Sequence, residues 1–197
     1  MENQTRFALH PLLQKRWSPR AFSPIPVPSD SLMRVLEAAL FAPSASNEQP
    51  WRFVVGLKGT PAHEAILDSL VEFNQLWAVL APVLIVACGK TVTNAKPDQP
   101  NPTYRYDTGQ AVAHLSFQAM HEGLFVHQMT GFDPAKAAQN LAIEPPFVPI
   151  SVIALGYMGS PDQLPEKLKA IETGPKKRFG FEEMIFDGEF GNPFKLA

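Results

Sequence analysis

The sequence contains a single cysteine, Cys88, among its 197 residues. One thiol cannot build an intramolecular disulfide framework, and it excludes a cysteine-rich zinc or iron–sulfur site. Because Cys88 ends an apolar segment, we interpret it as a buried, chemically inert side chain. The histidine pair His114 and His121 has the spacing of one helix face but no third ligand beside it. We therefore predict no metal site.

Charge of one sign and long hydrophobic runs are also lacking. The 17 Lys and Arg residues nearly balance 19 Asp and Glu residues, so the net charge is −2. Such a balance gives no overall attraction to nucleic acid or to an anionic membrane surface. The longest apolar stretch, 79–88, is too short to span a bilayer, and residues 1–10 lack the apolar core of a secretory signal. We expect a cytoplasmic protein that binds neither nucleic acid nor membrane.

Several common site motifs are absent as well. The sequence has no G-x-G-x-x-G dinucleotide fingerprint and no G-x-x-x-x-G-K-[ST] phosphate loop. It also has no G-x-S-x-G turn for a nucleophilic serine. These absences argue against a Rossmann dinucleotide site, a P-loop nucleotidase and an α/β-hydrolase.

Proline, in contrast, is abundant, with 20 residues in the chain. This is about twice the ordinary usage of roughly 5%. Prolines shorten helices and fix the connections between them. With 45% hydrophobic residues, a chain of this length is expected to form one domain with a proper core.

Hydrophobic periodicity predicts three strands and about six helices, mostly alternating, and therefore a helix-flanked sheet. The strands are expected at 51–57, 82–88 and 149–157. The helices are expected at 7–16, from Ser29 to before Pro43, at 61–80, at 108–124 with Asp107 as its cap, from Asp133 to Leu141, and once more in the C-terminal part. Residues 89–106 show no period and exceed the usual loop length, which favours a functional or mobile loop.

Two segments carry polar side chains suited to a flat, phosphorylated ligand. Arg16, Ser18 and Arg20 can reach in one direction from the end of a helix, and guanidinium groups bind phosphate through paired N–H donors. Further along, Asn47 and Gln49 each offer one acceptor and two donors, which can read the edge of a heterocycle. Alone, the first could be an exposed basic turn and the second a capped turn.

A third segment, Lys176-Lys177-Arg178, adds a second basic group far along the chain. Taken alone, such a cluster is more often a solvated charge run. The aromatic residues are similarly ambiguous, because most aromatics belong to a core. Five of them are nevertheless candidates to line a substrate channel: Phe41, Phe73, Trp77, Tyr104 and Phe125.

In combination, these segments resemble the nitroreductase family of flavin enzymes. The similarity rests on the order R-x-S-x-R, A-P-S-x-x-N-x-Q-P-W, D-x-G at the start of a long helix, G-F-D, and a late basic cluster. The resemblance implies an α+β fold with a central, mostly antiparallel sheet flanked by helices. It also implies an intertwined homodimer, with residues 1–160 as the core and 161–197 as an arm exchanged between subunits. Residues of that arm expected at the interface are Phe181, Met184, Ile185 and Phe186.

The resemblance further implies an FMN site. Arg16 would lie nearest the phosphate, together with Lys176 and Arg178, and Ser18 would add a hydroxyl. Arg20 would lie near the N1/O2 edge of the ring. The other expected contacts are Asn47 on the ring or ribityl chain, Gln49 supporting its loop, and Pro43, Ser44 and Ser46 from the partner subunit.

Backbone N–H groups of Thr130 and Gly131 are expected to face flavin N5, which accepts the hydride. Many relatives have an acidic residue where this chain has Thr130, so a role for that side chain is not expected. No side chain is identified as a certain catalytic group, since the flavin would carry the chemistry.

The function implied is an FMN-dependent oxidoreductase. NADH or NADPH would reduce the flavin, and an electron-poor small molecule (a nitroaromatic, a quinone or a flavin) would reoxidise it by a ping-pong mechanism. Two alternatives stay open. One is a different flavin reaction on the same fold, such as dehalogenation, flavin cleavage or azoline oxidation. The other is a flavin-binding protein without turnover.

Overall fold

A computed structural model describes residues 5–175 and 177–195 of the chain. Within these residues the chain forms eight α-helices and four β-strands. In chain order they are α1 (Pro11–Lys15), α2 (Ser29–Leu40), β1 (Trp51–Leu57), α3 (Pro61–Ser69), α4 (Glu72–Ala78), β2 (Val83–Lys90), α5 (Tyr104–His121), β3 (Phe125–Met129), α6 (Pro134–Asn140), β4 (Phe147–Gly156), α7 (Glu166–Thr173) and α8 (Phe181–Met184).

The four strands form one sheet in the order β1-β2-β4-β3, and every neighbouring pair is antiparallel. Strands β2 and β4 occupy the centre, with Val86 opposite Val152. Strand β3 lies at one edge, where Met129 pairs with Val152. This arrangement confirms the expected α+β class with an antiparallel sheet.

Helices cover both faces of the sheet, which explains the continuous apolar sequence of β2. Because successive side chains of a strand point to opposite faces, β2 contributes to two cores. Val83, Ile85 and Ala87 face α2 and α5, where the core includes Val35 and Leu115. On the opposite face, the buried residues of β2 pack against α3, α4 and α7; they are Leu84, Val86 and Cys88 from the strand and Ile66, Trp77 and Leu168 from the helices.

Strand β1 forms over the range that the sequence predicts, and β2 and β4 differ by a few residues. The prediction of three strands is wrong, because it omits β3. This strand has five residues, of which His127 and Gln128 are polar and partly or fully exposed, so it lacks a clear alternation. The single helix expected at 61–80 is two helices, since Leu70 and Val71 are extended.

The longest helix also begins earlier than expected. Helix α5 starts at Tyr104, so Asp107 lies inside its first turn and is not its cap. The carboxylate of Asp107 instead accepts hydrogen bonds from the Thr103 hydroxyl at 2.9 Å and from the backbone N–H of Ala45 at 3.3 Å. The N-terminal helix is shorter than the predicted 7–16, because it begins at Pro11, which fits the first turn of a helix.

The C-terminal segment divides into two parts. Leu164 and Leu168 are buried in the core of their own chain. Beyond residue 177, Phe181, Met184 and Ile185 are exposed and Phe186 is half-buried. Exchange of this arm between subunits remains a prediction. Over the residues that the structure describes, no helix combines the length and the apolar character needed to cross a membrane.

Candidate functional site

A cleft of about 230 Å³ opens where the turn after α1 passes the edge strand β3. We call it the guanidinium cleft, because three arginines line it. The described residues that form its wall are Arg16, Trp17, Ser18, Arg20, His127 and Arg178. The cleft therefore brings together all three members of the R-x-S-x-R segment and one member of the late basic cluster.

Arg16 and Ser18 are joined directly, since the guanidinium Nη1 donates to the serine Oγ at 3.1 Å. Burial lowers the pKa of Arg16 below its ordinary value, and the positive charge of Arg178 lowers it further. Both effects disfavour a cation, and both are relieved when an anion enters the cleft. The arrangement is suited to a phosphate, which accepts several charge-assisted hydrogen bonds.

The turn that carries these residues is anchored to β3 by His127. The ring Nδ1 lies 2.9 Å from the carbonyl oxygen of Pro19. Because a carbonyl only accepts, Nδ1 must be the protonated donor in this contact. The same ring packs on Trp77, with 4.4 Å between the ring centroids. His127 thus connects the wall of the cleft to the hydrophobic core.

A second anchor is Glu172 of α7, which is only 2% exposed. Its carboxylate accepts from the indole N–H of Trp17 at 3.4 Å and from the backbone N–H of Arg20 at 3.1 Å. It also lies 3.7 Å from the Arg20 guanidinium. Sequence reasoning missed Glu172, since a glutamate in a short polar helix carries no signal of a contact 152 residues away.

Arg20 retains one unused donor. Its Nε is buried and has no hydrogen-bond partner among the described residues. Buried N–H groups are almost always paired, so this donor, on a side chain that lines the cleft, is available to a ligand. This observation, with the charge of Arg16 and Arg178, fits a phosphorylated cofactor.

The second polar segment, residues 43–50, forms what we call the amide loop. Three of its residues have positive φ: Ser46 at 51°, Asn47 at 55° and Gln49 at 45°. This region of backbone conformation is costly for residues other than glycine, and such strain tends to occur at ligand sites. The loop is held in place, because Ser44 Oγ accepts from the Gln49 N–H at 3.0 Å and Asp107 accepts from that of Ala45.

The amide loop does not line the guanidinium cleft. It lies between α2 and β1 and is attached to the start of α5 through Asp107. Pro43, Ser46, Asn47 and Gln49 are exposed, and Ser44 is half-buried. The prediction that the loop reaches the cofactor from the partner subunit is compatible with this separation and stays a prediction.

Thr130 and Gly131 follow directly after β3. Thr130 is exposed, and the Gly131 carbonyl accepts from the Val71 N–H at 3.1 Å and from Asn74 Nδ2 at 2.9 Å. A Cβ on Gly131 would lie 2.7 Å from that Asn74 nitrogen, so a larger residue would displace the Asn74 side chain from its hydrogen bond. His127 lines the cleft three residues earlier, which places this segment within roughly 10 Å of it along the strand.

The five aromatic candidates are scattered, and none lines the guanidinium cleft. Trp77 is fully buried in the core, where it stacks on Phe22, so it does not face a channel in this chain. Phe41 is 77% exposed, Phe73 is exposed, and Phe125 is half-buried. Tyr104 packs against the β2 backbone, since a Cβ on Gly89 would meet its ring.

Of the late basic cluster, Arg178 lines the cleft and Lys177 is exposed, while Lys176 lies outside the described residues.

Cys88 is buried, and burial raises the pKa of its thiol to about 11, as expected for an inert side chain. Across residues 5–175 and 177–195, no group of three His, Cys, Asp or Glu side chains could hold a metal ion.

Residues 13–157 match the sequence profile of the nitroreductase family. A solved structure of an oxidoreductase containing FMN superposes with a TM-score of 0.90 at 34% identity and covers 96% of each chain. An uncharacterized 15.4 kDa protein from the ask 5′ region of Mycolicibacterium smegmatis is 32% identical over 72% of this chain and 99% of its own length. A putative NADH dehydrogenase/NAD(P)H nitroreductase of Methanothermobacter thermautotrophicus is 27% identical over 74% of both chains.

The profile match spans well over half of the sequence and agrees with the observed fold. The chain belongs to the nitroreductase family, a family of oxidoreductases.

Proposed function

We propose that this protein is an FMN-dependent oxidoreductase that draws electrons from NADH or NADPH. The observation that carries the proposal is the guanidinium cleft, in which three arginines converge and Arg20 Nε has no partner. The FMN content of the solved relative at 34% identity supports the same cofactor here.

Different residues of the cleft would bind different parts of FMN. Arg16, Ser18 and Arg178 would hold the phosphate, joined by Lys176. Arg20 would donate to the uncharged part of the molecule. From the amide loop, Asn47 would bind the ring or ribityl chain with Gln49 in support, and Pro43, Ser44 and Ser46 would approach from a partner subunit.

When bound, FMN supplies hydride acceptance and donation at N5. Around that atom, the backbone N–H groups of Thr130 and Gly131 are the donors we expect to face it. The Thr130 carbonyl, which belongs to the same peptide as the Gly131 N–H, accepts from the Phe132 N–H at 3.0 Å, so the orientation of this peptide does not depend on the ligand. Donors held in place before reaction stabilise developing charge without reorganisation.

The electron acceptor is expected to be an electron-poor small molecule, such as a nitroaromatic, a quinone or a flavin, in a homodimeric enzyme. The name NAD(P)H nitroreductase given to the archaeal relative supports the donor and the acceptor class. The other flavin reactions that the sequence resemblance leaves open, and binding without turnover, are distinguished by the experiment below.

The test is rapid-mixing reduction of the FMN-loaded protein by NADH and by NADPH without oxygen, followed by a panel of acceptors. We expect loss of the flavin absorbance with at least one nicotinamide and its return on mixing with an acceptor, as in a ping-pong cycle. Fast reduction without reoxidation by any of the three acceptor classes would favour a different flavin reaction. A protein that takes up FMN but is reduced by neither nicotinamide would contradict the proposal.

A further inference from the structure

The contacts of Glu172 bear on how the three arginines of the guanidinium cleft differ in their roles. The carboxylate is almost completely buried, and a buried charge is costly unless it is paired and hydrogen-bonded. Its partners are Trp17 and Arg20, the two residues that flank the Ser18–Pro19 dipeptide. Glu172 therefore holds both sides of the turn that supplies the cleft with its serine.

Glu172 engages Arg20 in two ways. It accepts from the backbone N–H, which fixes the path of the chain, and it lies within ion-pair distance of the guanidinium, which fixes the side chain. The carboxylate of Glu172 thus partly balances the charge of the guanidinium, while its Nε is buried and has no partner among the described residues. The carboxylate opposes part of the attraction of this guanidinium for a dianion and leaves Nε as a directed hydrogen-bond donor.

Arg16 and Arg178 differ from Arg20. They are close enough for the charge of one to lower the pKa of the other, and Arg16 already shares the Ser18 hydroxyl. Mutual repulsion of two cations is relieved by an anion between or beside them. The described part of the cleft accordingly contains one compensated arginine and two that repel each other.

We propose that Glu172 is a positioning residue that reserves Arg20 for the uncharged part of the flavin and leaves Arg16 and Arg178 to the phosphate. This inference rests on the proposed function, because it presumes that FMN occupies the cleft. Glu172 itself lies behind the turn and acts through Arg20.

The experiment compares FMN with riboflavin, which lacks the phosphate, on the full-length protein and three variants. Dissociation constants are measured by quenching of flavin fluorescence. Glu172→Gln is expected to weaken FMN and riboflavin by the same factor, roughly tenfold, because the donor that it orients serves the part common to both ligands. Arg178→Ala is expected to weaken FMN alone. Glu166→Gln, an exposed glutamate on the same helix, is the matched control and should change neither constant.

The midpoint potential of bound flavin separates positioning from simple support of the fold. Glu172→Gln leaves the Arg20 charge uncompensated beside the flavin, so the potential should rise. Arg20→Gln removes that charge, so the potential should fall, although both variants weaken binding. In the Arg20→Gln background, Glu172→Gln should have a smaller effect on riboflavin affinity than in the wild-type background, because only its contacts with Trp17 and the backbone of the turn remain.

An equal loss of affinity for both ligands together with potential shifts of opposite sign supports the proposal. Weakening of FMN alone, or unchanged affinity and potential in Glu172→Gln, overturns it. If Glu172→Gln does not fold, Trp17→Phe removes one donor to the carboxylate. It should weaken FMN and riboflavin by the same factor, smaller than that of Glu172→Gln, and unchanged riboflavin affinity in it would also overturn the proposal. If the wild-type protein binds neither flavin, the proposed function itself has failed.

Discussion

The guanidinium cleft collects its residues from three distant parts of the chain, whereas the amide loop is built from consecutive residues between α2 and β1. In the cleft, contacts of Glu172 and His127 over more than 100 residues hold a turn whose own backbone needs no unusual conformation. The loop instead stores strain at three positive-φ residues and is held by its own Ser44 and by contacts with Asp107 and Asn94.

This difference suggests a division of roles. The cleft offers concentrated positive charge within one chain, suited to an anion. The loop offers neutral amides in a fixed conformation at a different place on the surface, suited to the edge of a heterocycle. A site for a phosphorylated, aromatic cofactor needs both, and we propose that two subunits bring them together.

Removal of a cleft arginine should have the largest effect. Arg16→Ala or Arg178→Ala deletes a charge-assisted contact worth about 1.5–3 kcal/mol, so FMN should bind roughly 10- to 150-fold more weakly. Riboflavin affinity should change little, because the lost contact is to phosphate. Titrations monitored by flavin fluorescence measure both.

Arg34→Ala is the matched control, since Arg34 is exposed and paired with Glu122 away from the cleft. Full FMN affinity in both cleft variants would show that the phosphate lies elsewhere.

The next effect concerns the support of the amide loop. Asp107→Ala removes the acceptor of the Ala45 N–H and one of the two acceptors that the Thr103 hydroxyl contacts. At about 0.5–1.5 kcal/mol for each of the two hydrogen bonds, the free energy of unfolding should fall by about 1–3 kcal/mol. Urea unfolding measures this difference, with Asp98→Ala at an exposed position as the control. Equal stability of the two variants would mean that α5 does not hold the loop.

The smallest effect is expected from a single amide of the loop. Asn47→Gly removes the side chain but adopts a φ of 55° without strain, so the backbone should keep its conformation. Loss of one neutral hydrogen bond of about 0.5–1.5 kcal/mol should weaken FMN and riboflavin alike, by roughly 2- to 12-fold. A loss of affinity for FMN only would place Asn47 at the phosphate. It would then contradict the proposal that the cleft binds the phosphate and the amide loop binds the uncharged part of the cofactor.

Much of the fold could be predicted from local sequence pattern, and the failures have physical causes. The prediction of β1 is correct because the segment has β-branched and aromatic residues at its centre, Phe53, Val54 and Val55, which are typical of strands. Strand β3 is absent from the prediction because it is short and carries two adjacent polar residues, His127 and Gln128, of which His127 lines the cleft. Trp77 was misplaced because a large aromatic carries no signal of whether it faces a core or a channel.

Prediction of the candidate site from local sequence pattern is limited in the same way. Arg16, Ser18, Arg20 and Arg178 line one cleft. Their types and spacing alone also fit an exposed basic turn, and their role at a phosphate, which the family resemblance implies, stays a prediction. Glu172 and His127 could not be found in this way, because their roles arise only when the tertiary fold brings them to the turn at 17–20. Residues that contact a ligand leave a local motif, while residues that position those contacts do not.

The central claim is that the cofactor site needs the cleft of one chain and the amide loop of another. Its most direct test is the FMN dissociation constant measured over a range of protein concentrations, with the mass followed by sedimentation. The account predicts a dimer with one FMN per chain, whose affinity falls when dilution separates the subunits. A monomer that binds FMN with the same affinity as the dimer would contradict it.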